Sequence, residues 1–313
     1  MGSYHIVSRL ADRSAWFTDS EKEHFVRLLE RFAAGYFVRI HAFCVMSNHF
    51  HLLVTGMEED SKNASVPELF RRYRTIYGPR ANPPIGTLHA SGEIEADPDD
   101  GVERLRQRLG SVSRFVQELK QTFSRWYNIQ HDRTGYLWGD RFKAVVTAKA
   151  GDSEVVQAAY IDLNPIRAKM VQRPEDYRWS SAGLKVRSPR RARRLLTPLN
   201  HPKLIRHGEA WYRMFVAYAG ARPREGKRGR LAQSVVTELE ARCGELGVRD
   251  RLHYRCRNLS EGVAVGTAEF IAAIQRGHGR KHIVPRRFLE SIDAAATVAT
   301  HTLFATRALR APP

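Results

Sequence analysis

A chain of 313 residues with 42% apolar content can bury an ordinary core, in one large domain or two smaller ones, and its 51 Lys and Arg against 33 Asp and Glu leave it at net +18. That excess favours a polyanionic partner, nucleic acid first and an acidic membrane surface second. Three cysteines, Cys44, Cys243 and Cys256, without a CxxC spacing exclude a disulfide framework or a Cys-rich zinc knuckle. No window approaches ~18 uninterrupted apolar residues, so no membrane span is expected. The first residues, MGSYHIVSRL, lack the apolar core of a signal peptide. Reduced thiols and a cytoplasmic, nucleoid-associated location are the expectation.

Residues 3–10 alternate loosely and predict a first strand. Residues 19–34 predict a helix, capped by Asp19 or Ser20, with Phe25, Leu28, Leu29 and Phe32 at helical spacing and Gly35 at its end. Two strand-like runs follow, 38–45 and 49–54, joined by the turn residues Ser47 and Asn48. Residues 57–110 read as an insertion: a helix from Pro67 to Tyr77, then a Pro/Gly-rich and acidic stretch expected to be a surface loop or disordered. Val112, Phe115, Val116, Leu119, Phe123 and Trp126 form a helical stripe that should run to about His131.

Residues 135–148 predict a turn and a strand. A second major helix follows, capped by Asp152 or Ser153, with Val155, Val156, Ala159 and Leu163 as its apolar face. It should end or bend at Asn164, because Pro165 disfavours helical geometry in the residue before it. The first domain is placed at 1–183. Residues 184–313 are expected to form a basic, mostly helical C-terminal region. Within it, 185–230 carries fourteen Lys and Arg against two Glu, including RSPRRARR at 187–194, and reads equally as a solvated tether or a phosphate-tracking surface. Helices are expected over 231–246 and 266–276, and the last ~15 residues form a helix or a frayed tail.

The chemistry gathers at two places. In MSNHFHLLV at 46–54, side chains of an extended strand alternate, so His49, His51 and Leu53 share one face and Phe50 and Leu52 the other. Two imidazoles two residues apart on a strand can close on one metal ion. Tyr160 and Asn164 are four apart, one turn from each other on a helix face, and offer a phenol and an amide oxygen. Each has a plain alternative. A His-x-His pair is more often surface or core, Tyr160 a packing tyrosine, and Asn164 a helix-end residue. His41 reads as a satisfied core histidine; His5 could sit near the site. Tyr127 is a rival nucleophile, but the residue four positions on is His131, not an amide or carboxylate.

Residues 46–54 resemble the His-hydrophobe-His signature of the single-tyrosine IS200-like transposase superfamily. GYLWGDRFK at 135–143, YIDLNPIRA at 160–168 and DYRWSS at 176–181 resemble the branch associated with repetitive extragenic palindromes. The resemblance covers roughly 3–57 and 111–183. EGVAVGTAEF at 261–270 is more weakly similar to a C-terminal module of some members. The resemblance implies an α+β fold, an antiparallel sheet with packed helices of ferredoxin-like or RNA-recognition-motif-like type. It implies Tyr160 as nucleophile, and His49, His51 and Asn164 as side chains holding Mg²⁺ or Mn²⁺; in relatives the helical ligand is often Gln. The implied substrate is single-stranded DNA beside hairpins, and the implied state a monomer or a homodimer. Arg141 and Lys143, with Trp138, are candidate DNA contacts, Trp138 serving equally as a core plug. In the basic run the DNA candidates are Arg190, Arg191, Arg193 and Arg194.

A phenol with a pKa near ~10 is a weak nucleophile at neutral pH, and a divalent ion on the scissile phosphate would offset that. Exchange of one phosphodiester for a 5′-phosphotyrosine and a free 3′ hydroxyl is nearly isoenergetic and suits strand transfer. Two other readings stay open: a non-catalytic hairpin-binding or regulatory relative, and a phosphodiesterase that uses water.

Overall fold

The computed structural model describes residues 2–11, 17–89, 91, 93–96, 101–148, 152–221, 229–243, 253–254, 264–278, 283–287, 289–290 and 304–308. The chain opens with β1 (Ser3–Arg9), α1 (Asp19–Gly35), β2 (Val38–Val45) and β3 (His49–Gly56). Thr18, not Asp19 or Ser20, is the N-cap of α1. It forms a reciprocal capping box with Glu21, whose carboxylate accepts from the Thr18 N–H at 2.7 Å.

In the segment 57–110 the helix expected over Pro67 to Tyr77 is present, and the stretch expected as a surface loop carries a small hairpin. The segment folds as α2 (Glu58–Lys62), α3 (Val66–Tyr77), the hairpin of β4 (Gly86–Leu88) and β5 (Ile94–Ala96), and α4 (Gly101–Gly110). Leu69, Phe70, Ile85, Leu105 and Leu109 carry it into the main core. These apolar residues lie far apart in a polar stretch, so their shared burial shows only in three dimensions. The acidic residues 97–100 lie outside the described residues.

α5 (Val112–Gln130), capped by Ser111, leads through turns to β6 (Lys143–Thr147) and then α6 (Asp152–Asp162). All neighbours in β2-β3-β1-β6 pair antiparallel. With α1 and α5 this makes the β-α-β-β-α-β arrangement of the ferredoxin-like fold, an α+β fold as expected. The register sets Ser3 opposite Thr55, His5 opposite Leu53, Val7 opposite His51 and Arg9 opposite His49.

The sheet is covered on both faces. Ile6, Phe50, Leu52 and Val54 pack with Phe25, Leu29, Phe115, Leu119 and Phe123 of α1 and α5. Ala42, Cys44, Leu53 and Val145 on the other face pack with Val155, Val156 and Ala159 of α6. Alternation along β3 thus divides His51 and Leu53 from Phe50 and Leu52 as the period of two requires.

After α7 (Asn164–Arg167), α8 (Ser181–Arg187) and α9 (Pro189–Leu195) follow, then α10 (Pro202–Ala221), kinked at Gly208 (φ 67°), and α11 (Gln233–Cys243). The boundary expected at 183/184 falls inside α8. Leu184, Ala192 and Leu195 join the main core, and Trp211, Tyr212, Phe215 and Val236 join the core beneath α6. Much of 185–221 is therefore packed structure, and 222–228 lie outside the described residues. Further on lie β7 (His253–Tyr254), β8 (Ala264–Gly266), α12 (Ala268–His278), β9 (Ile283–Arg287), β10 (Leu289–Glu290) and β11 (Phe304–Ala308). β8 extends the sheet parallel to β6, β11 and β9 follow it, and β7 pairs with β10. Residues 244–246, 261–263, 279–282 and most of the final stretch, for which expectations were stated, lie outside the described residues, as does Cys256.

Candidate active site

The edge-to-centre run of β3 puts both of its histidines on the α6 face. The His49 and His51 ring centroids are 4.9 Å apart, His51 buried and His49 half-buried. His49 Nδ1 lies 2.6 Å from Asn48 Oδ1, and His51 Nδ1 lies 2.9 Å from His5 Nε2. With Nδ1 engaged in each ring, Nε2 is the atom that would meet a metal ion. The hydrogen bond to the other nitrogen fixes ring orientation, as in metal-binding histidines generally.

α6 lies across this face and delivers Tyr160. Its ring is 5.8 Å from His51 and 5.6 Å from His5, both edge to face. Tyr160 is half-buried at the margin of the core beneath α6. His5, from β1, was only a passing candidate in the sequence. Nothing in β1 alone marks it: the register, which pairs His5 with Leu53, sets it diagonal to His51 on the same sheet face.

Asn164 takes a different position from a simple outward-facing ligand. The helix breaks at Leu163, and the Asn164 amide Nδ2 donates to the Tyr160 carbonyl at 2.9 Å and to the Ile161 carbonyl at 3.5 Å. It thus satisfies carbonyls at the C-terminus of α6, and only its Oδ1 remains to face a ligand in the role that the resemblance implies. Among the described residues no group of three His, Cys, Asp or Glu is set to hold a metal ion. The protein would supply two imidazoles, leaving the remaining positions to oxygen donors. Imidazole suits zinc as well as manganese, so this donor set by itself does not select the ion.

What holds Tyr160 in place is buried polar chemistry. Asp162 is buried, and its Oδ1 accepts from Ser181 Oγ at 2.6 Å and from the Ala182 N–H at 3.3 Å, while its Oδ2 accepts from the Tyr212 hydroxyl at 2.8 Å. Desolvation pushes its pKa above the ordinary carboxylate value, against the pull of Lys185 and of these hydrogen bonds. Arg167 donates to the carbonyls of Ala219 at 2.7 Å and Gly229 at 3.0 Å. At the other end of α6, Ser3 Oγ donates to Glu154 and sits 2.6 Å from Thr55 Oγ1, which is 2.9 Å from His41 Nε2. His41 also reaches the Thr197 carbonyl at 3.1 Å, so it is a hydrogen-bonded histidine of the framework.

The segment 176–181 is a latch on β2. The Tyr177 hydroxyl donates to the Val45 carbonyl at 2.7 Å, and the Val45 N–H donates to the Trp179 carbonyl at 2.9 Å. The motifs around Tyr160 and Tyr177 therefore meet each other through Asp162 and Ser181.

The remaining candidates divide. Tyr127 is buried on the opposite face of the sheet, stacked on His131 with ring centroids 4.2 Å apart, and takes no part in the site. Trp138 plugs the core between Phe17, Phe25, Phe50 and Phe123, its Nε1 donating to the Lys120 carbonyl at 3.2 Å. Arg141 and Lys143 are exposed. In α9, Arg190, Arg193 and Arg194 are exposed, and Arg191 is half-buried. It is paired with Glu23 at 2.9 Å and with Glu30 on α1, because the helix turns that side chain inward. Among the described residues no helix is long and apolar enough to cross a membrane.

Residues 2–77 match the family described as "Transposase IS200 like"; His5, His49 and His51 lie within the match, and Tyr160 and Asn164 lie beyond it. No curated protein matches the chain significantly. One solved structure, "Structure of the REP associates tyrosine transposase bound to a REP hairpin", aligns over 64% of this chain and 84% of its own, at 13% identity and a TM-score of 0.38.

Proposed function

We propose that this protein is a DNA transposase that nicks and rejoins single-stranded DNA near hairpins, with Tyr160 as its nucleophile. The observation that carries the reading is the approach of the Tyr160 ring to 5.8 Å, centroid to centroid, from the ring of His51, which lies in the segment that matches IS200-like transposases. The Tyr160 oxygen attacks the scissile phosphorus, the 3′ oxygen leaves, and a 5′-phosphotyrosine remains. A strand's 3′ hydroxyl then reverses the exchange on a new partner. One phosphodiester replaces another, so the cycle needs no external energy source.

Nε2 of His49 and of His51 would hold a divalent ion, with Asn164 Oδ1 as the third candidate. When bound, such an ion supplies charge neutralisation at the phosphate oxygens. His5 fixes the His51 ring through its hydrogen bond. Asp162 and Arg167 hold the end of the helix that carries Tyr160. The excess of cations supports a DNA partner, and the resemblance of residues 135–143, 160–168 and 176–181 supports palindromic repeats as targets.

The test is covalent capture. Labelled hairpin oligonucleotides with unpaired flanks, incubated with Mn²⁺ and run on a denaturing gel, should yield a protein–DNA adduct. Tyr160→Phe and omission of metal should each abolish it. Cleavage persisting in Tyr160→Phe would mean that water is the nucleophile, and binding without any cleavage would make the protein a hairpin-binding regulator.

A further inference from the structure

The loop between α5 and β6 walls an open groove of about 1220 Å³ whose other side is α5. Its lining includes Arg125 and Gln121 from the helix and Tyr136, Trp138 and Arg141 from the loop. Arg125, Arg141 and Gln121 are exposed, and Tyr136 is 92% exposed. Nothing in the packing of the core accounts for that tyrosine. An aromatic ring left in water gives folding no burial, and a fixed turn presents it. Gly135 adopts φ +84°, a conformation that glycine takes without strain, and its carbonyl accepts from Asn128 Nδ2 at 3.0 Å. The neighbouring Arg133 N–H donates to the Asn128 carbonyl at 2.8 Å. Beneath the loop, Lys120 Nζ donates to the Asp140 carbonyl at 2.9 Å. The ring is therefore held out from the surface by a braced backbone.

The groove adjoins the candidate active site through the end of β1. The Gly139 N–H donates to the Arg9 carbonyl at 3.1 Å, and the Ala11 N–H donates to the Leu137 carbonyl at 3.1 Å. Arg9 is exposed and is the cross-strand partner of His49. Directly opposed residues of an antiparallel pair point to the same face, so the Arg9 side chain stands beside the His49 imidazole. Two exposed arginines and an outward aromatic ring in one groove are the parts of a single-strand track, in which arginines follow phosphates and a ring stacks on a base. The exposed Asp140 carboxylate is the one acidic group in the groove lining, against Lys120, Arg125 and Arg141.

We propose that the groove between α5 and residues 133–142 seats the unpaired strand that flanks the DNA hairpin, with Tyr136 stacked on a base and Arg125 and Arg141 on its phosphates. This rests on the reading of the protein as a single-strand DNA transposase and names where the flank binds. The experiment compares the full chain with Tyr136→Ala, Tyr136→Phe and the double variant Arg125→Gln/Arg141→Gln. Fluorescence anisotropy is read on blunt hairpins and on hairpins with a short unpaired flank at either end, across a salt series. All the altered side chains are exposed, and unchanged melting temperatures verify the fold.

The wild-type chain should prefer one flanked hairpin. Tyr136→Ala should weaken that complex by about fivefold to a hundredfold, Tyr136→Phe should bind as wild type, and blunt-hairpin affinity should hold. The double variant should lower the slope of log affinity against log salt by about 1.4, at roughly 0.7 per single-strand phosphate contact. A wild-type preference for the flank that all variants retain would overturn the track while leaving the transposase reading intact. A wild-type chain that binds neither probe would overturn both.

Discussion

Asp162 decides where Tyr160 sits, and its removal can be worked out from its three partners. In Asp162→Ala the Ser181 hydroxyl can still turn to the Phe43 carbonyl, 3.2 Å away, but the Tyr212 hydroxyl and the Ala182 N–H lose their acceptor. Hydrogen bonds to a charged group contribute about 1.5–3 kcal/mol each, and stranded buried donors cost a further share. Relief from burying a carboxylate offsets part of the loss, so the net is about 3 kcal/mol. For a chain of this size that lowers the melting temperature by roughly 4–5 °C. Asp162→Asn keeps an acceptor for Ser181 and Ala182 and should cost about 1 kcal/mol. Thermal unfolding followed by circular dichroism measures both.

The pH dependence carries a sign. Burial raises the folded-state pKa of Asp162, so the folded state binds that proton more tightly than the unfolded chain does. Its stabilising contribution is present at low pH and is lost as pH rises from the ordinary carboxylate value through the raised one. Wild type should therefore gain on Asp162→Asn as pH falls through that window. A melting point for Asp162→Ala within about 2 °C of wild type would refute the reasoning. So would an Asn variant as damaged as the Ala variant, or a pH slope of opposite sign.

Two further outcomes follow from the same contacts. His5→Phe should lower Mn²⁺ affinity about tenfold to a hundredfold in a calorimetric titration while the fold persists, because His51 loses the hydrogen bond that orients it; unchanged affinity would remove His5 from the site. In α9, Arg190→Gln/Arg193→Gln/Arg194→Gln should flatten the salt dependence of DNA binding, whereas Arg191→Gln should leave it unaltered and lower stability by about 1 kcal/mol through the pairs with Glu23 and Glu30. An unchanged slope in the triple variant would make α9 a packing helix alone.

The sequence by itself determined what depends on local rules. Turn residues at Ser47 and Asn48, alternation along 49–54 and helical spacing in 112–126 were enough to set β3 and α5 and to put His49 and His51 on one face. Pro165 was enough to end α6 at its C-terminal side, and the order of elements around the core sheet followed from the same signals. Long-range partnership left no such trace. The packing of 57–110 depends on apolar residues scattered through a polar stretch. The inward turn of Arg191 depends on two carboxylates some 160 positions earlier in the chain. Cross-strand register alone brings His5 against His51 and Arg9 beside His49, since register is a relation between segments and neither strand encodes it alone. The seating of Tyr160 belongs to the same class: one helix, crossing one sheet face, held at both ends by buried hydrogen bonds to distant parts of the chain.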